Sequence, residues 1–424
     1  MLSTRKYRNT HRLHWGGRFL LSIFLILSVL AVLTMLSPSL RSRLIWRYEV
    51  ITTYLRGVVD PVKPLPTPRV RVFTATPTHL LSSAERPTPT PAPLVSSPTP
   101  TLTPTPLPQR IELPVPPYEK QDINNCGPAT LAMLLRYYGW KGTQNDIAAV
   151  IKPIPQDRNV NVEELLYFTR SYVGWLRSEF RVGGDLALLK RLLAAGFPVV
   201  IEEGYLMEES YWPNDDRWAG HYLLLTGYDD GEGYFIAQDS FYGPNRLIPY
   251  VGLDQNWQAF NRVYFLVFPP ESEATLQALL GEDWDVEANR HHALETAQHE
   301  TQEQPDNAFA WFNLGTNLVY FERYEEAAAA YDQARTLGLP QRMLRYQFGP
   351  FFAYFHTHRI DDLMALTEYA LKRTPNSEEA LLWRGWGLYR QGKKSEAIAS
   401  FEEALKAHPG YPDAEYALRF VQQN

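Results

Sequence analysis

The sequence has almost no cysteine: Cys126 is the only one in 424 residues. An intramolecular disulfide is thereby excluded, and the thiol is either a small buried apolar group or one kept for chemistry. Basic charge is not in excess either. Lys and Arg number 41 against 47 Asp and Glu, a net charge of -6, which leaves no extended basic face for nucleic acid. No Gly-Lys-Ser/Thr loop is present to cradle phosphates. Histidine is scarce where the chain looks globular, with His221 alone between residues 118 and 270. His291, His292 and His299 lie further on, in a helical stretch; adjacent histidines point to different faces there, and no carboxylate spacing completes a metal site. Neither a metal nor another cofactor is expected.

Apolar and proline-rich runs, by contrast, are concentrated near the start. Phe19 to Leu36 is uncharged and, as a helix, rises about 27 Å, close to the hydrocarbon thickness of a bilayer. No small-x-small cleavage site follows it, so residues 19–37 are expected to be an uncleaved transmembrane anchor rather than a signal peptide. Arg5, Lys6, Arg8, Arg12 and Arg18 precede the run, against Arg41, Arg43 and Arg47 after it. This bias favours a cytoplasmic basic N-terminus, residues 1–18, with everything after the anchor outside a cell membrane crossed once. From Asp60 to Pro117 come 17 of the 33 prolines with few aromatics, a composition that builds no core. Residues 38–117 therefore read as a juxtamembrane segment and a Pro/Thr-rich linker. It is either a disordered connector or a polyproline spacer reaching on the order of 180 Å when stretched.

Residues 118–270 are globular in composition. AMLLRYYG after the cysteine predicts a helix beginning near Cys126, with Pro128 in its first turn and Gly139 past its end. Further helices are expected at Asn161 to Tyr172 and Asp185 to Ala195, the latter stopped by Gly196. FPVVIEE, HYLLLTGY, GYFIAQDS and residues 261–268 read as strands, the middle two joined through DDGEG. The expected order is helices first and an antiparallel sheet after them, an α+β domain. WPNDDRW, just before His221, is either a substrate-facing loop or a packed irregular segment.

Residues 271–424 are helical, alanine-rich and repetitive. Gly315 aligns with Gly385, Ala327 with Ala397, Tyr331 with Phe401 and Ala334 with Ala404. Three units of about 34 residues result, with a final capping helix. In the middle unit Leu363 and Thr367 stand where a small and an aromatic residue are expected. These units resemble the tetratricopeptide repeat. The resemblance implies an all-α solenoid; either its concave groove binds a protein partner, and deletion of residues 305–424 leaves small-substrate turnover intact while abolishing partner capture, or the repeats merely enlarge the core and deletion costs folding.

A thiol is nucleophilic as the thiolate, and the start of a helix, where Cys126 is expected, lowers its pKa through unpaired N–H groups and the dipole. His221 is the one imidazole in this stretch able to pair with that thiolate and protonate a leaving amine. A hairpin symmetric about Asp230 makes 221 and 239 cross-strand neighbours, so the Asp239 carboxylate can orient the ring. Gln121, five residues before Cys126, can turn its amide toward a developing oxyanion. QDINNCGPATLAMLLRYYG, with GHYLLLTGYDD and AQDS, is similar to the active-site segments of the C39-like peptidases, papain-like relatives of bacteriocin-processing domains. The resemblance implies Cys126 as nucleophile, His221 as base, Asp239 as orienter and Gln121 as oxyanion donor. Asn125 and Thr130 depart from the family pattern without removing a catalytic group, and a double-glycine specificity is not carried over. The whole reads as a multidomain, membrane-anchored, extracytoplasmic cysteine peptidase acting on a peptide or protein. The alternatives are an amidase or transpeptidase on cell-wall peptides, or an inactive tethered scaffold.

Overall fold

The computed structural model describes residues 106–152, 159–208 and 217–424, with scattered positions between 20 and 69. Met1–Lys63 and Glu208–Arg217 form one unit; Pro64–Met207 and Trp218–Asn424 form another, which carries every element named below. Most of the apolar run at 19–37, the linker from 70 to 105, and residues 212–216 of WPNDDRW lie outside the described residues. Among the described residues no helix is long and apolar enough to cross a membrane, so the expected transmembrane helix finds no support there.

Seven strands form one antiparallel sheet: β1 (Arg110–Glu112), β2 (Arg177–Arg181), β3 (Val199–Leu206), β4 (Trp218–Asp229), β5 (Tyr234–Asp239), β6 (Gly243–Pro249) and β7 (Tyr264–Phe268). Their order is β2-β7-β3-β4-β5-β6, with β1 added to the far end of β4. The helices of this part are α1 (Cys126–Tyr137), α2 (Gln144–Ile151), α3 (Val162–Tyr172), α4 (Leu186–Ala194) and α5 (Tyr250–Gln258). Alternate residues of the central strands enter opposite cores. Val200, Tyr222 and Leu224 join α1 and α3, whereas Ile201, Leu223 and Leu225 join α4 and α5. This arrangement fits a papain-like α+β domain.

Helices and strands interleave more than the sequence suggested, since β1 precedes α1 and β2 falls between α3 and α4. Both strands are too short to show a period. β6 carries Pro244 and Pro249, tolerated because it is an edge strand. Two helix starts are chemically marked: Asn161 and Glu164 cap α3 reciprocally at 2.8 and 3.0 Å, and Asp185 caps α4 at 2.6 Å.

After β7 come α6 (Glu273–Leu280) and α7 (Val286–Glu303), then three helix pairs: α8 (Ala308–Tyr320) with α9 (Tyr324–Leu337), α10 (Gly349–His356) with α11 (Ile360–Arg373), and α12 (Glu378–Arg390) with α13 (Lys394–Ala407). α14 (Pro412–Gln423) closes the stack. In the outer pairs a glycine faces an aromatic: a Cβ on Gly315 would come within 2.7 Å of Tyr331, and one on Gly385 within 2.4 Å of Phe401. The middle pair exchanges these sizes. Phe351 occupies the first-helix position and Thr367 the second-helix one, both fully buried, so bulk moves from one helix to the other.

The packing of α1 and α3 continues without a break into α8–α14 as a single apolar cluster. Ahead of the linker, Leu65 is buried in that cluster. The Pro66 carbonyl accepts from Arg335 at 2.6 and 3.1 Å, and Arg69 pairs with Asp361 while its N–H donates to Asp362 at 3.3 Å. Residues 64–69 are thus fastened to the repeats rather than trailing from them.

Candidate active site

The loop entering α1 is held from several sides. Gln144, 3% exposed, accepts at Oε1 from the Asp122 N–H (2.7 Å) and Asn125 Nδ2 (3.0 Å), and donates from Nε2 to Glu119 (3.1 Å) and the Lys120 carbonyl (2.9 Å). An aspartate at 125 would turn that donor into a second acceptor facing Oε1. Lys152 Nζ donates to the Asn124 carbonyl at 2.7 Å, and Asn124 has a left-handed φ of 55°. Cys126 follows as the first residue of α1, half-buried.

His221 lies on β4 and Asp239 ends β5, both buried. His221 Nε2 sits 2.9 Å from Asp239 Oδ1, leaving Nδ1 as the ring nitrogen directed elsewhere, and the imidazole is close enough to the Cys126 thiol to act on its charge. Asp239 Oδ1 also accepts from the Phe241 and Tyr242 N–H groups at 2.8 and 3.0 Å, and Oδ2 accepts from Arg246 at 2.9 Å. The direct cross-strand pairing expected of 221 and 239 is corrected. β4 and β5 pair Leu224 with Gln238, placing Asp239 diagonal to His221, because the hairpin centres past Asp230, with Asp229 opposite Tyr234, and the register shift between Leu225 and Gly227 only partly compensates. A displacement of two residues keeps both side chains on one face, and a diagonal neighbour remains within reach.

Gln121 is tied to the same strand end: its N–H donates to the Ser240 carbonyl at 2.9 Å, and its Oε1 accepts from Ser240 Oγ at 2.9 Å. The Nε2 hydrogens are the side of the amide left for another acceptor. Tyr118 adds donation to the Asp239 and Ser240 carbonyls at 3.2 and 3.3 Å.

The electrostatics favour charge separation. Burial pushes the Cys126 thiol up, but the hydrogen bond and charge of His221, the charge of Lys152 and the Tyr222 N–H outweigh it, so the pKa falls below its ordinary value. Burial lowers His221, while Asp239 and Cys126 more than offset that and hold it up at about 10. Asp239, raised by burial but lowered by His221 and the two N–H donors, lies at about 2. The Cys126 and His221 shifts both run in the direction that favours a thiolate beside an imidazolium. Glu203, in register with His221 on β3, is pushed by burial to about 7.

Lys152, Ser240, Arg246 and Glu203 escaped the sequence reading, since none carries a local signal tying it to Cys126. Glu164, Glu378 and His408 bring ligand atoms within 4.8 Å of one another. They include none of the four residues around the thiol, and His408 is ion-paired to Glu378 at 3.1 Å. Elsewhere, His291 stacks on Phe321, His292 pairs with Asp283, and His299 pairs with Glu303.

Residues 112–265 match the model of the Peptidase_C39 like family, and residues 365–412 match that of the tetratricopeptide repeat. No curated protein matches the chain. Among solved structures, a C39-like peptidase from Bacillus anthracis is similar at 18% identity, covering 37% of this chain and 96% of its own, with a TM-score of 0.30. Xylellain, a cysteine protease from Xylella fastidiosa, is similar at 15% identity over 38% of this chain and 87% of its own, with a TM-score of 0.30. YrrB, a tetratricopeptide-repeat protein with a peptide-binding site, is similar at 20% identity over 35% of this chain and 73% of its own, with a TM-score of 0.28. The chain thus carries a domain of the Peptidase_C39 like family at residues 112–265 and, after it, tetratricopeptide repeats.

Proposed function

We propose that the protein hydrolyses peptide bonds with Cys126 as nucleophile, His221 as acid and base, Asp239 as orienter and Gln121 as oxyanion donor. One observation carries this reading: Cys126 opens α1 half-buried, within electrostatic range of a buried His221 whose Nε2 lies 2.9 Å from Asp239 Oδ1. The thiolate adds to the carbonyl carbon, and the oxyanion accepts from the Cys126 N–H and Gln121 Nε2. Nδ1 of His221 gives its proton to the amine as the C–N bond breaks, leaving a thioester. Neutral His221 then takes a proton from water, whose oxygen attacks the thioester carbon; the C–S bond breaks, the acid departs and the thiolate is restored beside the imidazolium. The same reading keeps residues 19–37 as the anchor, places the domain on the extracytoplasmic side, and gives the repeats a protein partner.

Turnover of a peptide library by the full chain tests it. Cys126→Ala is expected to abolish cleavage. The pH profile is expected to rise as Cys126 ionises below the ordinary thiol range and to fall as His221 loses its proton near 10. Turnover of cell-wall peptide fragments without library cleavage would replace the peptidase by an amidase or transpeptidase. No turnover of either would leave a scaffold.

A further inference from the structure

β4 is paired unevenly. β3 runs beside it from Trp218 to Leu225, but β5 is in register only from Leu224 to Asp229. The stretch 218–223, which carries His221, therefore has a sheet neighbour on one side alone, and a half-paired strand end does not fix a side chain well.

The helical domain packs against that stretch. Trp218 stacks on Phe260 (5.9 Å, 6°) and on Phe309 of α8 (6.3 Å, 22°), and meets Tyr346 edge-on at 5.9 Å. Arg342 donates to the Trp218 carbonyl at 3.3 Å, and Gln347 to the Ala259 carbonyl at 2.8 Å. Gly220 shows how closely they approach: a Cβ there would lie 2.8 Å from Phe260 and 3.2 Å from the Tyr346 ring. The Tyr346 ring thus lies against Gly220, one residue before His221, and its hydroxyl is within electrostatic range of the Gly220 N–H and of Cys126. The other titratable or charged groups around His221 are Cys126 from α1, Glu203 and Tyr205 from β3, and Asp239 from β5, with Arg246 of β6 behind it.

We infer that Tyr346 is a positioning residue for His221, so that the helical domain completes the active site instead of standing beside it as a separate binding module. The inference rests on the reading of Cys126 and His221 as a working pair. Tyr346 fixes Gly220, Gly220 fixes the start of β4, and the imidazole is held where it stabilises the thiolate.

Because the chain has a single cysteine, alkylation by iodoacetamide read by mass reports Cys126 alone. The rate is measured against pH on the full chain for the wild type, Tyr346→Phe and Arg384→Ala. The last removes the ion pair of Arg384 with Glu403 in the final repeat and serves as a stability control. Tyr346→Phe is expected to melt near the wild type while alkylating about fivefold to tenfold more slowly at pH 7, its acid limb moved to higher pH. Arg384→Ala is expected to follow the wild-type profile. Superimposable profiles for Tyr346→Phe and the wild type, or an equal displacement in Arg384→Ala, would overturn the inference. A wild-type chain that alkylates as an ordinary thiol would sink both this inference and the peptidase reading. One that alkylates at low pH but cleaves no peptide would sink the peptidase reading only.

Discussion

Lys152 is a cation where a cation is expensive: it is 4% exposed, and burial opposes its charge. Its ammonium is bound to the Asn124 carbonyl, and its field falls on the Cys126 sulfur. Lys152→Met keeps the stem and removes the charge. The variant is expected to raise the acid limb of Cys126 alkylation, slowing it below that limb by up to about tenfold; an unmoved limb would leave Lys152 a purely structural tie. The stability attached to His221 has the opposite pH sense from that of Asp239. The raised His221 value gives stability fully present below its ordinary 6.5 and lost as pH climbs through about 10. The depressed Asp239 value gives stability present above 3.8 and lost as pH falls through about 2. Cys126 and His221 were legible in the sequence because each is unique in its stretch. Lys152 was not, because only the return of α2 past the Asn124 turn brings it to the thiol.

At the scale of elements, the β4–β5 hairpin shows what a pattern can and cannot specify. Side-chain alternation puts 221 and 239 on one face only for an even displacement of register, and here the off-centre turn is brought to an even offset by the shift near Gly227, which the pattern does not show. The shift between Leu225 and Gly227 arises beside Gly227, where a Cβ would come within 2.4 Å of the Ile111 carbonyl on β1. That strand is three residues long and more than a hundred positions away. The crowding at the other end of β4 is testable. Gly220→Ala is expected to destabilise the fold by about 1–3 kcal/mol in denaturant unfolding, because Phe260 and Tyr346 have no room for a methyl group. Unchanged stability would mean the two rings yield freely. The repeats were legible in their outer units through the paired glycine and aromatic, and illegible in the middle one because Phe351 and Thr367 exchange sizes.

At the scale of the whole molecule, the expectation that residues 305–424 can be removed without harm meets a continuous core. Removal would strip Phe309, Arg342, Tyr346 and Gln347 from Trp218, Gly220 and Ala259. The truncated chain is expected to lose both cooperative melting and the low-pH reactivity of Cys126, measured by calorimetry and alkylation; retention of both would restore the repeats to the status of an accessory module. The strap at residues 64–69 bears on the linker in the same way. Arg69 is fastened to the repeats, and Arg110 pairs with Asp229 in the sheet, so the Pro/Thr-rich stretch between them starts and finishes on one body. Its contour length then does not set how far apart Arg69 and Arg110 lie. A protease that cut the linker between residues 70 and 105 would leave Leu65 and Arg69 attached by packing and charge, and would release nothing.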